Sequence, residues 1–167
     1  MNKAYLSLGS NIEPERHLPE AVKRLAQYGQ VRAASTVWET EPLGFADQPN
    51  FLNAVVLLET PLSAQALRAE ALPALEAALG RVRTENKNAP RTIDIDLLLF
   101  NREVLQLGKR HIPNPEVQER PFVAIPLAEI APDYIHPETG QTLRQMAEAL
   151  PVKGMVRRPD ICLETAI

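Results

Sequence analysis

The chain has 167 residues, of which 45% are hydrophobic and 23% are charged. This balance predicts one globular domain and excludes a disordered chain or a fibrous repeat. A net charge of -3 gives no general attraction for nucleic acid or an anionic membrane, and a single cysteine excludes an internal disulfide. No apolar run approaches the roughly 18 residues of a membrane helix, so a cytoplasmic protein without nucleic-acid or membrane partners is expected. Proline outnumbers glycine 15 to 7, and both common glycine-rich phosphate-loop motifs are missing from the sequence.

The first hundred residues predict the element order β-α-β-β-α-β. The two helix patterns begin near Pro14 and at Thr60-Pro61, with Thr60 as the cap, and they end near Gly29 and Gly80. Pro73 is expected to kink the second helix. The strand patterns cover residues 4–8, 31–38, 51–58 and 92–100. This order is typical of an α+β fold of the ferredoxin-like kind, with helices on one face of a mainly antiparallel sheet.

The remaining residues have weaker patterns. Residues 101–111 suggest a hairpin, residues 121–130 a helix or a series of turns, and residues 142–150 a last helix. Residues 151–167 give no assignment. We expect residues 1–167 to form a single domain with a C-terminal tail of unknown role.

The sharpest chemical signal is Asp94-Ile95-Asp96 within the apolar run 93–100. Residues two apart in a strand share a face, so both carboxylates should point the same way while Ile95, Leu97 and Leu99 enter the core. Two such carboxylates on a central strand repel each other unless a cation lies between them, and Mg²⁺ accepts one or two carboxylates plus phosphate oxygens. From the triplet alone, a magnesium site and a solvated strand end are equally open.

Three arginines flank these acids, with Lys87 between them. A loop arginine is usually a solvated charge, but arginines beside a carboxylate pair can bind a polyphosphate through paired hydrogen bonds. Positioning and charge neutralisation supply most of the catalysis in phosphoryl transfer, so the combination favours nucleotide chemistry. The residues are Arg81, Arg83 and Arg91.

A second candidate group is Phe51 with Asn53, again two apart on a predicted strand. The amide matches the edge of a flat heterocycle such as a pterin or a purine, and the ring offers a stacking face. From this pair alone, an ordinary hydrogen-bonded strand asparagine is the favoured interpretation. Phe122 could supply a second stacking face, although an isolated phenylalanine is more often part of the core. The three histidines have no partners spaced for a metal site.

Five motifs in order resemble the 6-hydroxymethyl-7,8-dihydropterin pyrophosphokinases, over about residues 5–150. The family transfers a pyrophosphoryl group from ATP to a pterin in folate biosynthesis. The matching segments are Tyr5-Leu6-Ser7-Leu8-Gly9-Ser10-Asn11, Thr40-Glu41-Pro42-Leu43-Gly44, Asp47-Gln48-Pro49 through Asn53, Gly80-Arg81-Val82-Arg83 and Pro90-Arg91-Thr92-Ile93-Asp94-Ile95-Asp96.

The resemblance implies a role for each matching position. Asp94 and Asp96 would bind two Mg²⁺ ions that bridge the phosphates of ATP, the co-substrate, and Arg81 and Arg91 would close over the triphosphate. The pterin would lie between Phe51 and Phe122, with its edge read by Asn53 and by the backbone near Thr40 and Leu43. The nucleotide side would be formed by Glu76, Arg83, Leu97, Lys109, Arg110, His111, Asn114 and Arg120.

The expected reaction is attack of the pterin hydroxymethyl oxygen on the β-phosphorus of ATP, with release of AMP, by a monomer acting on small molecules. The chain departs from the family at Asn114, where histidine is common, and at Asn88 and Ala89 before Pro90. Asn114 carries no charge, so ATP binding should be weaker. Two alternatives stay open, namely a non-catalytic paralogue that binds pterin or nucleotide, and a ferredoxin-like RNA-binding module, which the net charge disfavours.

Overall fold

An antiparallel sheet flanked by helices on both faces forms the body of the protein. A computed structural model describes residues 1–42, 47–82 and 90–163. The six strands of the main sheet are β1 (Asn2–Ser10), β2 (Gln30–Ala34), β3 (Trp38–Thr40), β4 (Phe51–Thr60), β5 (Asp94–Phe100) and β8 (Met155–Arg157), and β6 (Leu105–Leu107) and β7 (Arg110–Ile112) form a separate hairpin. The helices are α1 (Pro14–Leu25), α2 (Ala64–Ala66), α3 (Leu72–Ala78), α4 (Glu116–Glu119), α5 (Pro121–Ile130) and α6 (Leu143–Glu148). The predicted α+β class is confirmed.

Strands β1 and β4 form the middle of the sheet. The order is β5-β1-β4-β3-β8, with β2 also paired to β4, and every pairing is antiparallel. The near-continuous apolar sequence of β4 fits its interior position, since both faces of an interior strand are covered. Among the described strands β5 pairs with β1 alone. The expectation that Asp94 and Asp96 lie on a central strand is therefore wrong, because β5 is at an edge.

Two hydrophobic cores cover the two faces of the sheet. On one face, Leu6 and Leu8 of β1 pack with Leu18 of α1 and Leu75 of α3. On the other face, Tyr5 and Val55 pack with residues of α4, α5 and α6. The prediction of helices on one face is wrong, because the apolar residues of 117–146 form a second helical layer: Val117, Val123, Leu127, Leu143 and Met146.

Two predicted elements differ in the structure where hydrogen bonds to residues distant in sequence overrule the apolar pattern. The predicted strand 31–38 is split into β2 and β3, because Ser35 pairs with Val55 through both its N–H and its hydroxyl, at 2.9 Å each. Thr60 is the last residue of β4 rather than a helix cap, and its hydroxyl donates to the carbonyl of Tyr28. The helix starts at Ala64 instead, where the Ser63 hydroxyl accepts from the Ala66 N–H.

Pro73, the predicted site of a kink, comes just after a π-helical turn, Leu67–Ala71, which lies between α2 and α3. The Leu72 N–H donates to the Leu67 carbonyl five residues back, and Pro73 follows at the start of α3. A widened turn before a proline accommodates the ring that would clash with the preceding turn.

A β-bulge changes which residues of β5 face each core. Leu6 pairs with Leu97, but Tyr5 pairs with Leu99, so Leu98 is an extra residue. Ile95 and Leu97 enter the core beside α1 and α3, whereas Leu99 enters the opposite core. The expectation that Ile95, Leu97 and Leu99 share one face is therefore wrong for Leu99.

Close packing gives Gly29 a large expected effect on stability. A Cβ atom at Gly29 would lie 2.0 Å from the Glu59 carbonyl oxygen, which is backbone and cannot rotate away. We expect Gly29→Ala to lower the free energy of unfolding by about 3 kcal/mol in urea titrations. Gly140→Ala is the control, because that site is open but has φ of 73°, and it should cost only about 1 kcal/mol. Equal losses in the two variants would contradict the steric explanation.

None of the helices in the described ranges is long and apolar enough to cross a membrane.

Candidate functional site

Strand β1 brings the two predicted groups of site residues together. Gly9 is paired with Asn53 on one side and with Asp94 on the other, and Ser7 is paired with Asp96. Directly opposed residues in antiparallel strands project from the same face, so the amide and both carboxylates share one floor. Gly9 has no side chain to separate them, and a Cβ there would lie 3.2 Å from Asn53 Oδ1.

Helices α4 and α5 form the opposite wall of a cleft over this floor. The cleft has a volume of about 200 Å³. Eight of the predicted site residues line it, together with six residues for which no role was predicted. The predicted residues are Thr40, Phe51, Asn53, Arg91, Asp94, Asp96, Arg120 and Phe122; the additional ones are Ser7, Leu8, Gly9, Glu41, Glu116 and Val123.

One part of the cleft is suited to a flat polar ring. The Asn53 Nδ2 donates to Thr40 Oγ1 at 2.7 Å, and Asn53 is only 9% exposed. This bond fixes the orientation of the amide. Phe51 and Phe122 are at the same cleft, and each ring has an arginine near its face: Arg91 at 5.5 Å and Arg120 at 6.0 Å from the ring centroid. Aromatic faces beside a fixed amide can stack on a heterocycle and pair with its edge.

The Asp94 carboxylate is held by two arginines. Arg81 Nη1 donates to Asp94 Oδ1 at 2.8 Å, and Arg91 Nη1 donates to Asp94 Oδ2 at 3.0 Å. The same Arg81 nitrogen donates to Glu76 Oε2 at 2.7 Å, and that oxygen also accepts from the Ile95 N–H. Burial alone would lower the pKa of Arg81, but the neighbouring carboxylates of Asp94 and Glu76 outweigh it and raise the pKa. Arg81 therefore stays charged.

The Asp96 carboxylate has weaker compensation. Burial, and after it the charge of Asp94, raise the pKa of Asp96 to about 7. Arg110 lowers that pKa, but its Nη2 is 3.8 Å from Asp96 Oδ1. Burial also raises the pKa of Glu116 on the facing helix. A cation bound here would remove this electrostatic cost.

The donor set fits Mg²⁺ bound together with a phosphate ligand. Asp94 and Asp96 provide two hard carboxylate ligands on one face, and Mg²⁺ completes its shell with water and substrate oxygens. Within residues 1–42, 47–82 and 90–163 there is no group of three or more His, Cys, Asp or Glu side chains that could hold a metal ion. A site built from protein ligands alone is thus not seen in those ranges.

A second cleft, with a volume of about 290 Å³, lies between residues 68–76, strand β5 and strand β7. Three predicted nucleotide-side residues line it, Glu76, Leu97 and Arg110, together with the predicted metal ligand Asp96. Its other lining residues had no predicted role: Arg68, Ala69, Leu72, Pro73, Ile95 and Ile112. Asp96 lines both clefts, so a ligand at its carboxylate would extend from one to the other.

Four predicted residues within the described ranges line neither cleft: Arg81, Lys109, His111 and Asn114. Lys109 lies in the exposed turn between β6 and β7. His111 Nε2 is 2.8 Å from Glu138 Oε1. Asn114 is buried, with its Nδ2 directed to the Leu97 carbonyl and its Oδ1 accepting from the Glu116 N–H. Leu43, Arg83, Asn88 and Ala89 lie outside the described residues.

The chain is similar to known pterin enzymes along most of its length. Residues 5–132 match a sequence model of the family described as 7,8-dihydro-6-hydroxymethylpterin-pyrophosphokinase (HPPK). A 2-amino-4-hydroxy-6-hydroxymethyldihydropteridine pyrophosphokinase of Pseudomonas aeruginosa is 38% identical over 162 residues, which is 95% of this chain and 98% of that protein. The enzyme of the same name from Bacillus subtilis is 44% identical over 132 residues, 77% of this chain and 78% of that one.

Solved structures share the fold. A wild-type HPPK-DHPS of Plasmodium falciparum with pteroate aligns with a TM-score of 0.69 at 14% identity, over 89% of this chain and 42% of that one. An HPPK-DHPS in complex with substrates aligns with a TM-score of 0.67, over 89% of this chain and 43% of that one. This chain thus spans less than half the length of those solved chains.

Proposed function

The chain belongs to the 7,8-dihydro-6-hydroxymethylpterin-pyrophosphokinase family, and from that premise we propose that it transfers a pyrophosphoryl group from ATP to 6-hydroxymethyl-7,8-dihydropterin, giving AMP and the pterin pyrophosphate. One observation supports this most strongly. Gly9 places the ring-binding amide of Asn53 and the phosphate-side carboxylate of Asp94 on either side of itself.

The pterin would bind in the first cleft, between Phe51 and Phe122. Asn53 offers an amide oxygen and an N–H to the polar edge of the ring, and Thr40 holds that amide in place. The apolar faces of the pterin replace water against the two phenylalanines, while the edge groups keep their hydrogen bonds. The hydroxymethyl group would then be directed toward the carboxylates of Asp94 and Asp96.

ATP would reach across both clefts, with its phosphates at Asp96 and its base in the second cleft beside Leu97 and Arg110. Mg²⁺ held by Asp94 and Asp96, in two ions by analogy with the family, would neutralise the phosphates and align them for attack. Arg81 and Arg91 each donate to Asp94, and when ATP binds they would donate to its phosphate oxygens instead. These arginines would stabilise charge on the transferred group.

The attacking oxygen belongs to a primary alcohol, and no histidine lines either of the two described clefts. The residues would therefore act chiefly by position, holding the hydroxymethyl oxygen in line with the β-phosphorus while the walls exclude water.

The test of the reaction is an incubation of the protein with ATP, Mg²⁺ and the hydroxymethyl-dihydropterin, in which AMP is measured. AMP is expected only when the pterin is present. ATP binding without AMP would contradict the proposal and favour the non-catalytic alternative.

Asn53 provides a test of the pterin side. Asn53→Leu keeps the size of the side chain but removes both hydrogen-bonding groups, and it leaves Thr40 unpaired. We expect the KM for the pterin to rise about thirtyfold, since an unpaired polar edge in a buried site costs about 2 kcal/mol. The KM for ATP should change less than about twofold. The control is Thr142→Val, because Thr142 caps helix α6 and lines neither cleft. An unchanged pterin KM in Asn53→Leu would refute the assignment.

The wider setting is also inferred. We infer a ferredoxin-like topology from the strand order β5-β1-β4 with β2 and β3 beside β4. A cytoplasmic monomer that acts on small molecules fits the composition. Gel filtration with light scattering would test the monomer.

A further inference from the structure

The C-terminal segment joins the sheet beside the pterin residues, although it lies beyond the residues 5–132 that match the family. Strand β8 pairs with β3, with Met155 opposite Thr40 and Arg157 opposite Trp38. On its other side β3 pairs with β4, where Thr40 is opposite Phe51. The three-residue strand β3 is therefore held between the tail and the strand that supplies Phe51 and Asn53.

Arg158 makes several polar contacts with this region and within the tail. Its backbone N–H donates to the Val37 carbonyl at 2.8 Å. Its Nη1 donates to Glu39 Oε1 at 2.7 Å. Asp160 accepts from Nε at 3.0 Å and from Nη2 at 2.9 Å, which fixes the plane of the guanidinium. With the plane fixed, Nη1 is directed at Glu39.

Glu39 also forms a hydrogen bond with the residue just before β4. Its other oxygen, Oε2, accepts from Asn50 Nδ2 at 3.0 Å. Glu39 directly precedes Thr40, and Asn50 directly precedes Phe51. The hydrogen bond from Asn50, followed by that from Arg158, lowers the pKa of Glu39, so the carboxylate is charged at neutral pH.

Arg157 adds a second contact on the same strand. Its guanidinium carbon is 4.9 Å from the centroid of the Trp38 ring. Trp38 is opposite Asn53 in the pairing of β3 with β4. The tail therefore contacts β3 next to both predicted pterin ligands, Thr40 and Asn53.

We propose that Arg158 is a positioning residue for the pterin, acting through Glu39 and Asn50 to fix where Thr40 and Phe51 lie. The Glu39–Asn50 hydrogen bond joins the residue before Thr40 to the residue before Phe51, and Arg158 fixes the Glu39 carboxylate in that bond. Its loss would loosen the side-chain support beside the paired residues Thr40 and Phe51. Neither Arg158 nor Glu39 lines the nucleotide cleft. The inference rests on the proposed pterin reaction.

The test compares Arg158→Met with the wild type in steady-state kinetics. We expect the KM for the pterin to rise about fivefold, the loss of one charge-assisted hydrogen bond, while the KM for ATP changes less than about 1.5-fold. Arg158→Lys keeps a donor for Glu39 and should return the pterin KM to within about twofold of the wild type. The control is Arg144→Met, which removes an exposed arginine paired with Asp133 and should change neither KM.

A double variant separates positioning from general loss of structure. Glu39→Ala alone should raise the pterin KM as Arg158→Met does, and the two together should raise it no more than the larger single effect. An unchanged pterin KM in Arg158→Met, equal rises in both KM values, or additive effects in the double variant would overturn the inference. Wild-type protein that forms no AMP would instead refute the proposed reaction itself.

Discussion

Asp94→Asn is expected to reduce the rate of AMP formation about a thousandfold at saturating ATP, pterin and Mg²⁺. Asparagine has almost the same shape, and its one amide oxygen can still accept a hydrogen bond from Arg81 or Arg91, whereas its amide nitrogen cannot accept from the other arginine. The negative charge that would attract Mg²⁺ is lost, and Asp96 alone would remain to bind it. The measurement is kcat for AMP formation, together with the Mg²⁺ concentration that gives half-maximal rate.

The matched control for this substitution is Asp133→Asn, at an exposed carboxylate that is paired with Arg144 at 3.2 Å. It makes the same chemical change far from the cleft and should leave the rate within about twofold, since exposed ion pairs contribute little. Near-wild-type AMP formation by Asp94→Asn would refute the metal assignment. A fall of similar size in Asp133→Asn would show a general effect of the charge change.

Arg81→Met is expected to affect both stability and catalysis. The Arg81 side chain is 12% exposed and the Glu76 side chain is 6% exposed, so the substitution removes one cation from a buried carboxylate. Breaking a buried pair in this way lowers the free energy of unfolding by about 3 kcal/mol. The loss of a cation from the transferred phosphates should also lower kcat about a hundredfold. Urea titration and AMP formation measure the two effects separately.

A compensating change distinguishes these two roles of Arg81. In Glu76→Gln/Arg81→Met the buried charge is removed, and the glutamine oxygen can still accept from the Ile95 N–H. We expect most of the lost stability to return while kcat stays about a hundredfold low. If the double variant recovered activity along with stability, Arg81 would have only a structural role.

The core elements were predicted best where apolar residues are continuous or alternate. The patterns at residues 51–58 and 121–130 correspond to β4 and α5, and the Asp-x-Asp pattern places both carboxylates on one face as expected. The prediction was wrong where one hydrogen bond decides the outcome. Ser35 breaks a β-branched run, and Thr60 is held by Tyr28 instead of capping a helix.

The second helical layer and the tail strand needed information that local patterns lack. Residues 155–157 form a strand only because β3 offers an unpaired edge, and nothing in Met155-Val156-Arg157 marks that partner. The role of Gly9 was similarly hidden, although it lies in a motif that resembles the family. Gly9 matters because it is paired with Asn53 on one side and with Asp94 on the other, and only the strand pairing shows this.

The central claim is that the β- and γ-phosphates of ATP move together to the pterin, and radiolabelled ATP tests it most directly. With label in the γ-phosphate, we predict that radioactivity appears in the pterin product, and that label in the α-phosphate appears only in AMP. Release of the γ-label as free phosphate with ADP, or a pterin product without label, would contradict the proposed reaction.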